Sequence, residues 1–280
     1  MTRKLSLTVI ALGFFGTAAW ADGMVQPAAA PCCEASFAGA YIGAAVGYAR
    51  QENEVTFLSQ IAPGLKFSDT DSSFTFGEYV GYNWQRCCSP FVFGIETDFN
   101  WQDASPTAFD REPPGGGGFP ETTSLESTIN WFGTLRGRAG YVVHDHLLLY
   151  ATGGLAYANV DHKFSDDCVG CGNPAPPVGP AVGPGDFGPY AQSNDKTKVG
   201  WTIGGGAELL HDTHWVLRAE ALYVDLGSET HTYTVQAAPT SPYAGLSAIT
   251  RAEWDDQFWI GRIGVAYKFD SSDCCAAPLK

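Results

Sequence analysis

Between residues 39 and 269 the chain alternates hydrophobic and polar positions in eight runs: 39–50, 73–84, 91–102, 124–143, 147–160, 196–210, 215–226 and 258–269. A repeat of two marks a strand with two unlike faces. The third run is the clearest, with Phe91, Phe93, Ile95, Phe99 and Trp101 opposing Gly94, Glu96, Asp98 and Asn100, and only Thr97 breaking the apolar face. The fourth sets Leu125, Ile129, Trp131, Leu135, Ala139 and Tyr141 against Thr128, Asn130, Thr134, Arg136 and Arg138. In the second, Glu78 falls on the face of Phe74, Phe76, Val80, Tyr82 and Trp84, and a bulge near Gly77 that reverses the parity is expected. The last run carries Trp259, Gly261, Ile263, Val265, Tyr267 and Phe269 on one face and Arg262, Gly264, Ala266 and Lys268 on the other.

The connections between runs also alternate. Short turns fall at 85–90, 144–146 and 211–214, whereas 51–72, 103–123, 162–195 and 227–253 are long, polar and rich in Gly or Pro. In an antiparallel order this puts both termini and the short turns at one end and the four long loops at the other. A soluble β-sandwich shares the alternation and is the structural alternative, but it gives no reason for that segregation. Even strand number, short turns on one side and long loops on the other are features of an outer-membrane barrel. The expected fold is therefore all-β: an eight-stranded antiparallel transmembrane β-barrel with four long extracellular loops and short periplasmic turns.

The amino terminus supports export. Arg3 and Lys4 precede an apolar stretch over 5–16, and Ala19-Trp20-Ala21 has the small-x-small form of a cleavage site, so 1–21 reads as a secretory signal peptide. Residues 22–38 form a periplasmic lead-in, 39–269 the barrel and 270–280 a Cys-containing periplasmic tail. After the leader no run of eighteen apolar residues follows, so a membrane passage has to be made by a closed sheet, which satisfies every backbone donor and acceptor in hydrocarbon. The content of 33 Gly, 17 Phe, 12 Tyr and 8 Trp suits curved sheet with aromatic girdles. Loss of Arg3 and Lys4 leaves 14 bases against 30 acids, a net charge of −16, which excludes nucleic acid as a partner.

Candidate chemistry lies on the polar faces. Glu96, Asp98, Glu208, Glu220, Arg136, Arg138, Arg218, Arg262 and Lys268 would face the interior of a barrel just wide enough for side chains to fill, and there they are expected to pair as a structural network. Among eight cysteines, Cys32, Cys33, Cys87, Cys88, Cys274 and Cys275 fall at the short-turn end and Cys168 with Cys171 in a long loop. An oxidising compartment makes all eight disulfide candidates, with bridges from the lead-in or tail to the turn at Cys87-Cys88. His144, His146, His211 and His214 occupy two turns and are metal-ligand candidates beside their plainer reading as polar turn residues. His162 near Asp161 and His231 near Glu229, with Ser165 and Ser228, form no recognisable catalytic constellation. No enzymatic activity and no cofactor are expected.

The segments Gly39-Ala-Tyr-Ile-Gly43, Gly81-Tyr-Asn-Trp-Gln85, Phe93-Gly-Ile-Glu-Thr-Asp-Phe99, Gly137-Arg-Ala-Gly-Tyr141, Tyr150-Ala-Thr-Gly-Gly-Leu-Ala156, Ala219-Glu-Ala-Leu-Tyr-Val-Asp-Leu-Gly227 and the final strand touch every run. In that order they resemble the small OmpA-like outer-membrane β-barrel family, particularly the alphaproteobacterial major surface antigens and their rhizobial relatives. In the last strand Ile263, Val265, Tyr267 and Phe269 resemble the terminal signal read by the barrel assembly machinery, although here a tail follows the aromatic end. The resemblance implies an integral protein of the bacterial cell outer membrane with a structural and surface-antigen role, contacting lipid and lipopolysaccharide. It also implies two alternatives: a porin-like channel for small solutes, or binding of a surface ligand such as haemin, or adhesion, through the loops. The extracellular ligand is left unidentified.

Overall fold

The computed structural model describes residues 36–58, 66–86, 89–111, 121–144, 146–168, 190–212, 214–236 and 247–269. These hold nine strands: β1 Gly39–Phe57, β2 Lys66–Gln85, β3 Phe91–Ala104, β4 Thr107–Arg111, β5 Glu121–His144, β6 Leu147–Cys168, β7 Tyr190–His211, β8 Trp215–Gln236 and β9 Ser247–Lys268. Eight of them form an antiparallel ring. Each pairs with its sequence neighbours, β3 pairs with β5, and β1 closes on β9 from Tyr41↔Lys268 to Phe57↔Ala252. The short β4 continues the edge of β3 against β5 after an interruption at Ser105-Pro106, where Ser127 N donates to the Pro106 carbonyl at 3.2 Å. Proline lacks the N–H that a continuous ladder needs.

Three expectations need correction. The strands of the ring run 14 to 24 residues, so that much of what reads as long loop is paired sheet. Backbone ladders form regardless of side-chain polarity, and a buried apolar cluster of Val55, Phe57, Leu125, Phe164, Tyr233, Ala252 and Trp254 holds these extensions together. Second, no bulge occurs at Gly77. The β1–β2 register runs unbroken from Gly39↔Asn83 to Thr56↔Lys66, and Glu78 points outward. Gly77 faces inward against Asn100 and the Phe99 carbonyl, where a Cβ would collide, so the parity stays as the sequence sets it. Third, Leu125 and Ile129 face the interior, not the side of Trp131, because the register shifts between Ile129 and Trp131. A second shift, between Asp225 and Ser228, is accommodated by Gly227 at φ 69°.

The turn end is tight. Asp212 adopts φ 57°, a left-handed conformation that short polar residues tolerate, and the chain reverses between β7 and β8. Phe37, fully buried, closes the base: its N–H donates to Gln85 Oε1 at 2.8 Å and its carbonyl accepts from Asn83 Nδ2 at 3.2 Å. Above it Tyr41 and Tyr79 lie across Gly81 and Gly43, their cross-strand partners, with no room for a Cβ at either glycine. Gly81→Val should therefore displace the Tyr41 ring and cost about 1–3 kcal/mol, as overpacking does. Urea unfolding of the refolded barrel in vesicles, with Ala221→Val on the outer face as control, checks this.

Candidate functional site

The outer surface carries two aromatic belts. At one level each ring strand contributes: Tyr48, Phe76, Trp101, Trp131, Tyr157, Trp201, Tyr223 and Trp259. Several of them touch: Phe76 stacks on Trp101 at 5.1 Å between centroids, Tyr223 lies against Trp259 at 4.8 Å, and the neighbouring Phe99 bridges Trp101 at 4.8 Å and Trp131 at 5.3 Å. Near the turn end Trp84, Phe91, Tyr141, Trp215, Tyr267 and Phe269 make the second belt, where Phe91 meets Tyr141 at 5.4 Å and Trp215 meets Tyr267 at 5.4 Å. Between them Ile42, Val46, Val80, Ile95, Leu135, Leu149, Leu155, Ile203, Leu217 and Ile263 are exposed. Trp259 to Tyr267 spans about 27 Å along the strand at ~3.4 Å per residue, which at a barrel tilt of about 40° is ~21 Å of height, of the order of an apolar band about 25 Å tall. Thr97 quietens its hydroxyl by donating to the Thr134 carbonyl at 2.8 Å. Glu78 lies one outward position below Phe76, near the interface, where acidic residues cost little.

The interior is layered. At band level Arg136 donates to Glu96 at 2.5 Å, Asp98 at 2.9 Å and Glu220 at 3.0 Å. Arg262 joins Asp98 at 2.8 Å and Glu220 at 2.5 Å, while Arg218 joins Glu96 at 2.7 Å and Glu208 at 2.6 Å. Arg138 reaches Glu208 at 2.7 Å and lies over the Tyr150 ring at 4.0 Å. Four guanidinium groups thus meet four carboxylates, so the layer is neutral. Lys268, the ninth residue of the expected network, lies nearer the base and borders a small internal space shared with Glu208 and Arg218. Above the charges sits an apolar layer including Ile129, Phe132, Leu222, Phe258 and Ile260. Removing one guanidinium leaves four buried carboxylates sharing three, one negative charge uncompensated, so Arg136→Met should cost about 3–5 kcal/mol, measurable as a lowered urea midpoint in vesicles.

A second polar layer lies inside the barrel beyond the upper belt. His162 Nε2 is 2.8 Å from Asp256 Oδ2, its Nδ1 is 3.0 Å from His231 Nε2, and its ring stacks on Trp254 at 4.5 Å. Lys198 Nζ donates to Asp256 at 2.9 Å and Ser127 Oγ donates to its other oxygen at 2.7 Å. Burial opposes ionisation of Asp256, but the His162 hydrogen bond and charge, Lys198 and Ser127 hold its carboxyl well below the usual range. His231 is lowered, first by burial and then by His162. The sequence pairing of His162 with Asp161 and His231 with Glu229 misses this cluster, because its members come from β5 to β9 and no local spacing joins them. The serine present donates to the carboxylate, so the arrangement contains no activated nucleophile.

The four turn histidines do not converge. His144 and His146 are exposed, His211 lies 3.6 Å from Asp212, and His214 stacks on Tyr267 at 5.4 Å. Among the described residues no group of three or more His, Cys, Asp or Glu is placed to hold a metal. Of the disulfide candidates only Cys168, at the end of β6 opposite Glu121, is described; Cys32, Cys33, Cys87, Cys88, Cys171, Cys274 and Cys275 lie outside the described residues, as do the leader and the tail.

Both shifts beyond the belt give the same pH dependence. A depressed His231 contributes stability that is present above its unfolded value of about 6.5 and lost as pH falls below it, and Asp256 adds a loss below its unfolded value of about 3.9. Amide exchange in the upper halves of β6, β8 and β9 should accelerate from pH 7 to pH 5 in the wild type, and His231→Gln should flatten that response.

A family model described as an outer membrane protein beta-barrel domain matches residues 7–269. The 31 kDa outer-membrane immunogenic protein of Brucella melitensis biotype 1 is 34% identical over 236 residues, covering 80% of this chain and 88% of that protein. A 22 kDa outer membrane protein of Rhizobium leguminosarum bv. viciae is 27% identical over 167 residues, covering 59% of each. Among solved structures, Ail of Yersinia pestis aligns over 83% of this chain and all of its own at 13% identity and a TM-score of 0.35. With the belts, the closed ring and the filled interior, the family model and the Brucella relative place the chain in the outer-membrane protein β-barrel family, as an integral protein of the bacterial outer membrane.

Proposed function

We propose that the protein acts physically, as an envelope barrel that presents its upper sheet and loops at the cell surface and catalyses no reaction. The observation that carries this reading is the interior: a fully buried Phe37 at the base, then neutralised charges, an apolar layer and the Asp256 cluster, stacked along one axis. A continuous water path has no place among tightly packed layers, so the channel alternative is disfavoured. A pocket where substrate could meet a nucleophile and its base is likewise missing among the described residues.

On this reading the partners are lipid and lipopolysaccharide at the belts, and the barrel assembly machinery, engaged by Ile263, Val265, Tyr267 and Phe269, whose side chains face outward. Loops 58–65, 112–120, 169–189 and 237–246 would carry any contact with an external ligand. The cysteines at the base would tie lead-in or tail to the β2–β3 turn. Ser36–Phe37 joins that turn through Gln85, and Phe269 N donates to the Ala40 carbonyl at 2.8 Å, which brings both chain ends to one rim.

Single-channel recording of the refolded barrel in planar bilayers tests the central claim. No reproducible conductance is expected; stable openings would favour the porin reading. In the same preparation, unheated protein should migrate differently from boiled protein on a gel, and Phe269→Ala should lower the amount assembled in cells without preventing refolding in vitro.

A further inference from the structure

At the turn end a groove of about 690 Å³ opens over the outer rim between β2 and β3. Its walls are Trp84 and Phe91 of the lower belt with Tyr82 and Phe93 beside them, and Arg86 and Ser89 stand at its polar mouth. Arg86 follows Trp84 by two positions, which puts a cation just outside the aromatic level, at the depth of lipid headgroups. It is exposed, and among the described residues it is the only exposed Arg or Lys at this end; Lys268 is buried inside. The other polar side chains of the rim include His144, His146, His211 and Asp212.

The mouth is held in shape. Ser89 N donates to the Arg86 carbonyl at 3.0 Å, and Gln85 is committed at both ends, accepting from Phe37 N and donating to the Ser89 carbonyl at 2.8 Å. Ser89 Oγ accepts from Phe91 N at 3.2 Å, which leaves the hydroxyl proton to donate outward. A guanidinium and a hydroxyl beside an apolar trough suit a phosphate joined to hydrocarbon.

We propose that this groove holds one anionic phospholipid of the periplasmic leaflet, its phosphate on Arg86 and Ser89 and one acyl chain along Trp84, Phe91 and Phe93. The chain is strongly acidic overall, with a net charge of −14, and the one exposed cation among the described residues of this rim selects an anionic headgroup and fixes where it sits. The assignment rests on the outer-membrane orientation, in which short turns face the periplasm.

Native mass spectrometry of the full-length barrel in mild detergent, titrated with phosphatidylglycerol or phosphatidylcholine, tests it. One phosphatidylglycerol should be retained, with Arg86→Gln weakening retention about fivefold and Arg86→Lys less, the scale expected for one cation at an anionic surface. Heat-modifiable mobility of each variant verifies that the barrel is folded, independently of lipid binding. Equal retention of the two lipids, or no effect of Arg86→Gln, would overturn the proposal. Displacement of the lipid by millimolar inorganic phosphate would reassign the mouth as a free-anion site. A barrel lacking residues 22–35 that gains binding would show that the lead-in, and not lipid, covers the groove.

Discussion

Hydrocarbon offers no hydrogen-bond partner, and every other feature of this molecule follows from that constraint. A sheet can cross such a medium only if it has no edge. The pairing of β1 with β9, seventeen residue pairs from Tyr41↔Lys268 to Phe57↔Ala252, removes the last one. Closure in turn decides which way each side chain points. Outward positions must suit lipid over the band, and inward positions must fill a narrow lumen, so one period-two pattern serves two unlike surroundings. The aromatic residues settle where the two media meet: one from every ring strand at the upper level, with Glu78 tolerated because it lies close beneath that level.

The lumen solves a second problem. Eight strands enclose too little space for bulk water and too much for small residues alone. The chain fills it with charges that cancel among Arg136, Arg138, Arg218 and Arg262 and the carboxylates Glu96, Asp98, Glu208 and Glu220, with tyrosines packed on glycines beside them. Such a layer is not a strong source of stability compared with a well-packed apolar core. Its merit is geometric, because guanidinium forks held by several carboxylates fix which strands face one another across the lumen. Apolar layers above and below keep water from loosening those pairs.

Beyond the upper belt the sheet continues into water, and the design changes. Outward residues become polar, as in Arg50, Glu52, Glu54, Lys66, Thr230 and Thr232, while Trp254, Tyr233 and Phe164 supply an internal core. Two of the register shifts, at Ile129/Trp131 on β5 and Asp225/Ser228 on β8, mark this transition: they swap the parity so that Leu125 and Tyr233 turn inward. The His162–Asp256 layer lies between the two apolar zones, and its acidity-sensitive contacts belong to the exposed half of the molecule.

Strand number, order, end-to-end polarity and the lipid-facing stripe were legible from the sequence, because each depends on local alternation or on connection length. The run from Phe91 to Trp101 is enough to tell outside from inside on β3. Interior acids and bases could be named for the same reason. Their partners could not, since Arg262 meets Asp98 across 164 positions and His162 meets Asp256 across 94. Strand length beyond the membrane was hidden as well: polar segments such as 66–72 and 228–236 look like loops until a neighbouring strand supplies their backbone bonds. The sequence by itself determined the barrel and its two faces, because a strand's alternation is set residue by residue. Only the tertiary structure decided the parity shifts, the layering of the lumen and the reach of the sheet, because these depend on which distant strand lies opposite.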